Sequence, residues 1–146
     1  MFGLIGATGA LVAPIAGRLS DTRGPRYVVG IAIGIVLASY LVFWGLGLHL
    51  LGLILGVILL DAGVQAAQVA NQSRVLALRP DARNRVNTVY MICYFIGGSL
   101  GSLLAAWGWS RWHWNGVCAV GIAFIALAAV VFKERGHKEG PELMAA

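Results

Sequence analysis

The sequence predicts an all-α, polytopic membrane protein, and three observations predict it. Of 146 residues, 59% are hydrophobic and 12% are charged, with a mean hydropathy of +0.80; an average soluble domain carries about 25% charged residues. No Asp, Glu, Lys or Arg occurs in 1–17, 27–60, 86–110 or 112–132, and about 18 apolar residues suffice to cross a hydrocarbon layer roughly 30 Å thick. The basic residues collect in alternate connectors. A soluble domain of this size could not hide so much apolar surface, because small domains keep much of theirs in water.

Helices are the only open choice for those stretches, since an open sheet leaves backbone groups unsatisfied in lipid and the alternating ten-residue strands of outer-membrane barrels are absent. The first span is expected at 1–17. It has no basic leader and more spans follow it, so it reads as a helix and not as a signal peptide; Pro14 inside it predicts a kink. A single helix over 27–72 would be about 69 Å long at 1.5 Å per residue, too long for one crossing. It must turn back, and the glycines at Gly45 and Gly47 beside His49 mark the place. Spans are therefore expected at 27–45 and 50–72, then at 86–108 and 114–132, with a polar tail over 133–146.

The loops orient the bundle. Arg18, Arg23 and Arg26 lie in the first connector, Arg74, Arg79, Arg83 and Arg85 in the third, and Lys133, Arg135 and Lys138 in the tail, which together hold ten of the eleven basic residues. Short loops rich in Lys and Arg stay cytoplasmic, so these three segments are expected on the cytoplasmic face of a cell inner membrane. Trp107, Trp109, Trp112 and Trp114 crowd the opposite turn, as an interfacial aromatic belt does. The first helix then enters from outside with nothing before it, which predicts a partial bundle.

Composition excludes several functions. The net charge of +5 sits between apolar runs and builds no basic surface for nucleic acid. Cys93 and Cys118 lie in apolar stretches as small hydrophobes, without a disulfide framework. His49, His113 and His137 stand singly, without metal-ligand spacing. No nucleophile, metal cluster or acid pair occupies a loop, so neither an enzyme nor a cofactor is expected.

Asp61 is the sharpest single feature. An acid at the centre of a membrane helix costs roughly 2.5–3.5 kcal/mol on insertion scales. It requires a polar partner, a wet cavity or a bound proton, and a carboxyl able to take and release a proton is what proton coupling uses. Gln65, Gln68 and Gln72 follow it at i+4, i+7 and i+11, within about 60° of one another on a helix. Such a stripe points away from lipid. It lines a substrate or proton pathway, or it merely glues helices by hydrogen bonding. Asn87, Tyr90, Tyr94, Gly98 and Gly101 form a second, weaker stripe, in which Tyr90 and Tyr94 either contact an organic solute or simply pack.

Small residues four apart, at Gly30, Gly34 and Ala38, at Gly52 and Gly56, at Gly97, Gly101 and Ala105, and at Gly9, Ala13 and Gly17, predict close helix packing and nothing about substrate. The first connector is more specific. Gly17-Arg18-Leu19-Ser20-Asp21-Thr22-Arg23-Gly24-Pro25-Arg26 combines an acid, three arginines and two glycines expected to allow a tight reversal; a merely topogenic loop explains the arginines and not the rest.

That segment resembles the G-x-L-A-D-[RK]-x-G-[RK]-[RK] signature of the major facilitator superfamily (MFS), with Gly17, Leu19, Asp21, Gly24 and Arg26 matching. Ser20, Thr22 and Pro25 depart from it, which favours the weaker copy that follows the eighth helix. The stretch 60–117 is similar to the tenth to twelfth helices of bacterial efflux-type members. The resemblance covers essentially the whole chain as the last five of twelve helices, a partial C-terminal six-helix bundle. It implies a secondary transporter working by alternating access, with a small-molecule substrate bound at mid-membrane between two halves. It also implies a conformational latch carried by Gly17, Asp21, Arg23, Gly24 and Arg26, and proton-driven export of small organic molecules or drugs. The partners expected are the lipid bilayer and the N-terminal half that the chain lacks. The competing reading is a non-transporting scaffold subunit, which the acid and the glutamine stripe oppose; a small four-helix exporter would show weaker charge bias in its loops.

Overall fold

Long apolar runs, interrupted by glycine, proline and polar connectors, leave the backbone little alternative to helix in lipid. A computed structural model describes the backbone of residues 2–143 and the side chains of 12–134. Its elements are α1 (Phe2–Arg23), α2 (Pro25–Leu46), α3 (Leu50–Ala77), a single 3-10 turn (Pro80–Ala82) and α4 (Arg83–Leu143). The described residues contain no strand. Among the described residues, three helical stretches, Pro25–Leu46, Leu50–Ala77 and Pro80–Glu134, are long and apolar enough to cross a membrane.

The third of these is two helices. At His113 the backbone leaves the helical region (φ 51°, ψ −131°), a conformation costly for a residue with a Cβ. The arms 83–112 (α4a) and 114–143 (α4b) lie against each other at Gly108 and Gly116. A Cβ on Gly108 would stand 2.9 Å from the Gly116 carbonyl oxygen, and one on Gly116 would overlap the Gly108 carbonyl. The imidazole Nδ1 of His113 lies 3.1 Å from the Trp109 carbonyl oxygen, and Trp107 meets Trp112 edge-on at 5.5 Å.

The first connector differs from expectation. Arg18–Arg23 is not loop: α1 continues through it, with the Thr22 hydroxyl donating back to the Arg18 carbonyl at 3.0 Å. The reversal into α2 occupies Gly24 alone. Its φ of 86° suits glycine, and Pro25 at the first helical position is preset for the next helix. Gly17 therefore makes no turn; it sits inside α1 with open space beside it. Pro14 also lies within α1 without ending it. Gly9, in the small-residue series of the first helix, falls among the side chains outside the described residues.

α1, α2 and α3 form a triad around small side chains. Ala16, Val28, Val29, Ala32, Ala66 and Ala70 make its buried core. Gly63 takes the Val36 side chain where a Cβ would come within 2.6 Å of it, and Gly56 receives the Phe43 ring. Where lipid removes the hydrophobic drive, such close approach supplies the dispersion contact that holds helices together. α4b packs on α2 from the other side. The Tyr40 ring fills the space over Gly121, and the Trp114 indole donates to the Phe43 carbonyl at 2.8 Å, capping the C-terminal end of α2. Gly47 leaves room for that indole.

One buried side chain of α1 outside that cluster is poorly satisfied. The Ser20 hydroxyl is buried with no hydrogen-bond partner, at a position where the resembling signature has alanine. An unpaired buried hydroxyl costs about 1–3 kcal/mol. Ser20→Ala is therefore expected to raise the unfolding midpoint in detergent, and a lowered midpoint would show that the hydroxyl has a partner the folded chain uses.

Candidate functional site: a polar seam between α3 and α4a

Spacing places Asp61, Gln65, Gln68 and Gln72 on one face of α3 and Asn87, Tyr90, Tyr94, Gly98 and Gly101 on one face of α4a. The connector over 78–82 turns the two helices antiparallel, and the fold brings the two faces together at the connector end. The Gln72 amide donates to the Asn87 side-chain oxygen at 2.8 Å. The Tyr90 hydroxyl lies 3.4 Å from the Gln68 carbonyl oxygen, and Tyr90 stacks on Tyr94 with ring centres 6.5 Å apart. Interhelical bonds of this kind are worth about 0.6–1.7 kcal/mol in a bilayer.

Extending the register set by these two contacts puts Gln65 level with Tyr94, and Asp61 level with Gly97 and Gly98. There the seam is open. A Cβ at Gly97, Gly98 or Gly101 would meet nothing within 4 Å. Asp61 is half-buried and makes no hydrogen bond or ion pair with a described residue. The seam is thus tied at the connector end and widens towards the acid. The carboxylate stands in the middle of α3, and the stretch of α4a at that level, Tyr94 to Leu100, is exposed. Chemically this arrangement can hold a proton or a polar solute; it contains no nucleophile.

The remaining expected residues lie elsewhere. Asp21 is exposed in the last turn of α1 and pairs with no described side chain. The Arg23 guanidinium lies over the Tyr27 ring at 5.3 Å and donates to its hydroxyl at 3.1 Å. The Arg26 guanidinium lies over the Phe132 ring at 5.2 Å and donates to the Phe132 carbonyl at 3.3 Å. Arg26 thus ties the start of α2 to α4b, while Gly24 supplies the reversal. The structure does not bring this group to the seam.

Two hollows lie outside the expected set. A cleft of about 480 Å³ opens among α2, α3 and α4b, with Asn71 and Arg74 of α3 on its wall. The i, i+3 spacing of Asn71 and Arg74 was the available signal for it, hidden by the neighbouring glutamine stripe. The larger hollow, about 610 Å³, is bounded by one continuous segment, Pro80 to Arg85. It is the space beneath a surface turn, remote from Asp61 in the chain.

These features define a polytopic α-helical membrane protein with a polar seam between two of its helices. Residues 1–144 match the profile of the Major Facilitator Superfamily, and the chain belongs to that family of membrane transporters. It is 40% identical over 125 residues to the uncharacterized transporter YgaY of Escherichia coli O157:H7, a match covering 85% of this chain and 32% of YgaY. It is 38% identical over 127 residues to "Probable transporter SCO4007" of Streptomyces coelicolor, covering 87% of this chain and 29% of that protein. The chain therefore spans about a third of the length of these relatives. No solved structure is a significant match.

Proposed function

We propose that this chain forms the last five spans of a twelve-helix, bacterial efflux-type exporter, and that it moves small organic molecules outward in exchange for protons by alternating access. The observation that carries this reading is Asp61: an intramembrane acid without a described partner, set on a polar seam that widens into open space. A carboxyl in that setting is stable when it holds a proton or faces water, and cycling between the two couples a proton to a moving solute. Gln65, Gln68 and Gln72 supply amide groups along the path, and Tyr90 and Tyr94 offer an aromatic surface to an organic substrate. The loop arginines, in short connectors on one side, support a cytoplasmic placement of those connectors and of the C-terminal tail. Asp21, Arg23 and Arg26, with Gly17 and Gly24, latch that side in one conformer, against the N-terminal half.

Five spans give one wall of a mid-membrane site. Vesicles holding this chain alone should show no flux of an organic dye. Vesicles holding it together with the helices that complete the bundle should show flux when a pH gradient is applied. Flux from the chain alone overturns the partial-bundle reading, and flux from the completed bundle that ignores the gradient overturns proton coupling.

A further inference from the structure

On the outer side of the α2–α4b contact, away from the polar seam, a crevice of about 590 Å³ is lined by Arg23, Arg26, Tyr27, Gly30, Ile31 and Phe132. Its composition is divided along its length. Arg23 and Arg26 sit at the end where the arginine-bearing reversal lies. Gly30 and Ile31 continue one turn further along α2 with apolar or bare surface, and Phe132 closes the α4b side at 3.4 Å from the position of a Gly30 Cβ. Tyr27 and Ile31 are exposed beside it.

We propose that this crevice, in the conformer in which the latch is not closed against the N-terminal half, is a binding site for an anionic phospholipid, its phosphate at Arg23 and Arg26 and the upper part of one acyl chain along Gly30, Ile31 and Phe132. Charge and polarity both select that occupant. Two guanidinium groups at the membrane boundary match a phosphate in geometry as well as sign, and basic pockets between membrane helices at this depth hold acidic headgroups. Both guanidinium groups are already positioned by their aromatic neighbours, Arg23 over Tyr27 and Arg26 over Phe132. Little side-chain ordering then remains to oppose binding. Gly30 provides a notch, because any larger residue there would fill the groove below the headgroup. Since Arg26 also holds the Phe132 carbonyl, a bound lipid would brace the α2–α4b contact.

The test is native mass spectrometry of the full chain released from nanodiscs of mixed phosphatidylglycerol and phosphatidylcholine. A phosphatidylglycerol adduct should be retained in preference to phosphatidylcholine. It should be lost from the Arg23→Gln/Arg26→Gln double variant and from Gly30→Leu, which fills the groove at unchanged charge. Arg111→Gln, beside the fold-back at His113 and at the opposite end of the bundle, should keep it. Glycerol phosphate, which has the headgroup without the chain, should not displace it. Equal retention of both lipids, an adduct that survives the double variant, or displacement by glycerol phosphate would each overturn the proposal. Should the double variant fail to extract, retention of the adduct by Gly30→Leu overturns it alone.

Discussion

In the completed bundle, Asp61→Asn is expected to abolish flux driven by a pH gradient, reducing it to that of protein-free vesicles. The variant should still insert and extract normally. Asparagine has nearly the shape of aspartate and keeps a carbonyl acceptor on the polar seam, but it neither binds nor releases a proton. Removing a charged group from the centre of α3 relieves an insertion penalty of roughly 2.5–3.5 kcal/mol, so failure to reach the membrane would not explain lost transport. Exchange of labelled for unlabelled substrate at equal pH on both sides should persist, because that movement needs no net proton transfer. This pairing separates coupling from architecture. An acid that serves only to hold helices together would lose or keep both activities in step, and gradient-driven flux surviving in Asp61→Asn would remove Asp61 from the proton path. Asp61→Glu, which restores a titratable group one methylene longer, should recover part of the driven flux.

Local signals carried the fold where one residue type decides a conformation. The turn expected around Gly45, Gly47 and His49 falls between Leu46 and Leu50, because glycines weaken the helix where the chain must reverse. The extent of α1 was less legible. Three arginines and an acid read as a loop, yet polar residues at a membrane boundary keep helical geometry readily, and only Gly24 with Pro25 breaks it. Contacts set by distant segments were the hardest to see. Gly97 and Gly101 fit the small-residue spacing but face open space, whereas Gly108, Gly116 and Gly121 form close contacts that no local spacing announces. Their partners are fixed by the fold-back at His113 and by Tyr40 of α2, and a one-dimensional pattern contains neither. At the candidate site the same division holds. Periodicity put Gln68, Gln72 and Tyr90 on facing stripes, but that the seam is tied at Gln72–Asn87 and open at Asp61 depends on the angle between two helices. For the arginines, the bulk of Phe132 at the far end of the chain decides where Arg26 lies.

The fold-back also supplies the largest expected loss of stability. Gly116→Val should destabilise the folded chain by about 3 kcal/mol, the upper part of the range for overpacked sites, because its Cβ meets backbone that cannot rotate away. The obstacle is the Gly108 carbonyl and Cα, and relief requires the arms of α4 to separate. Separation would withdraw support from His113, whose positive φ persists only while the packed arms impose it. It would also pull Trp114 from the Phe43 carbonyl and loosen Tyr40 over Gly121. The loss should therefore appear in reversible unfolding in detergent as an earlier transition, together with a shift in tryptophan emission from the cluster at 107–114. Gly97→Val is the matched control: the same substitution in the other arm of the same fold-back, where a Cβ meets nothing, should change stability by less than about 0.5 kcal/mol beyond the common propensity difference. Equal behaviour of the two variants would mean that α4a and α4b do not cross at Gly108 and Gly116, and the contact of α4b with α2 would then lack its geometric cause.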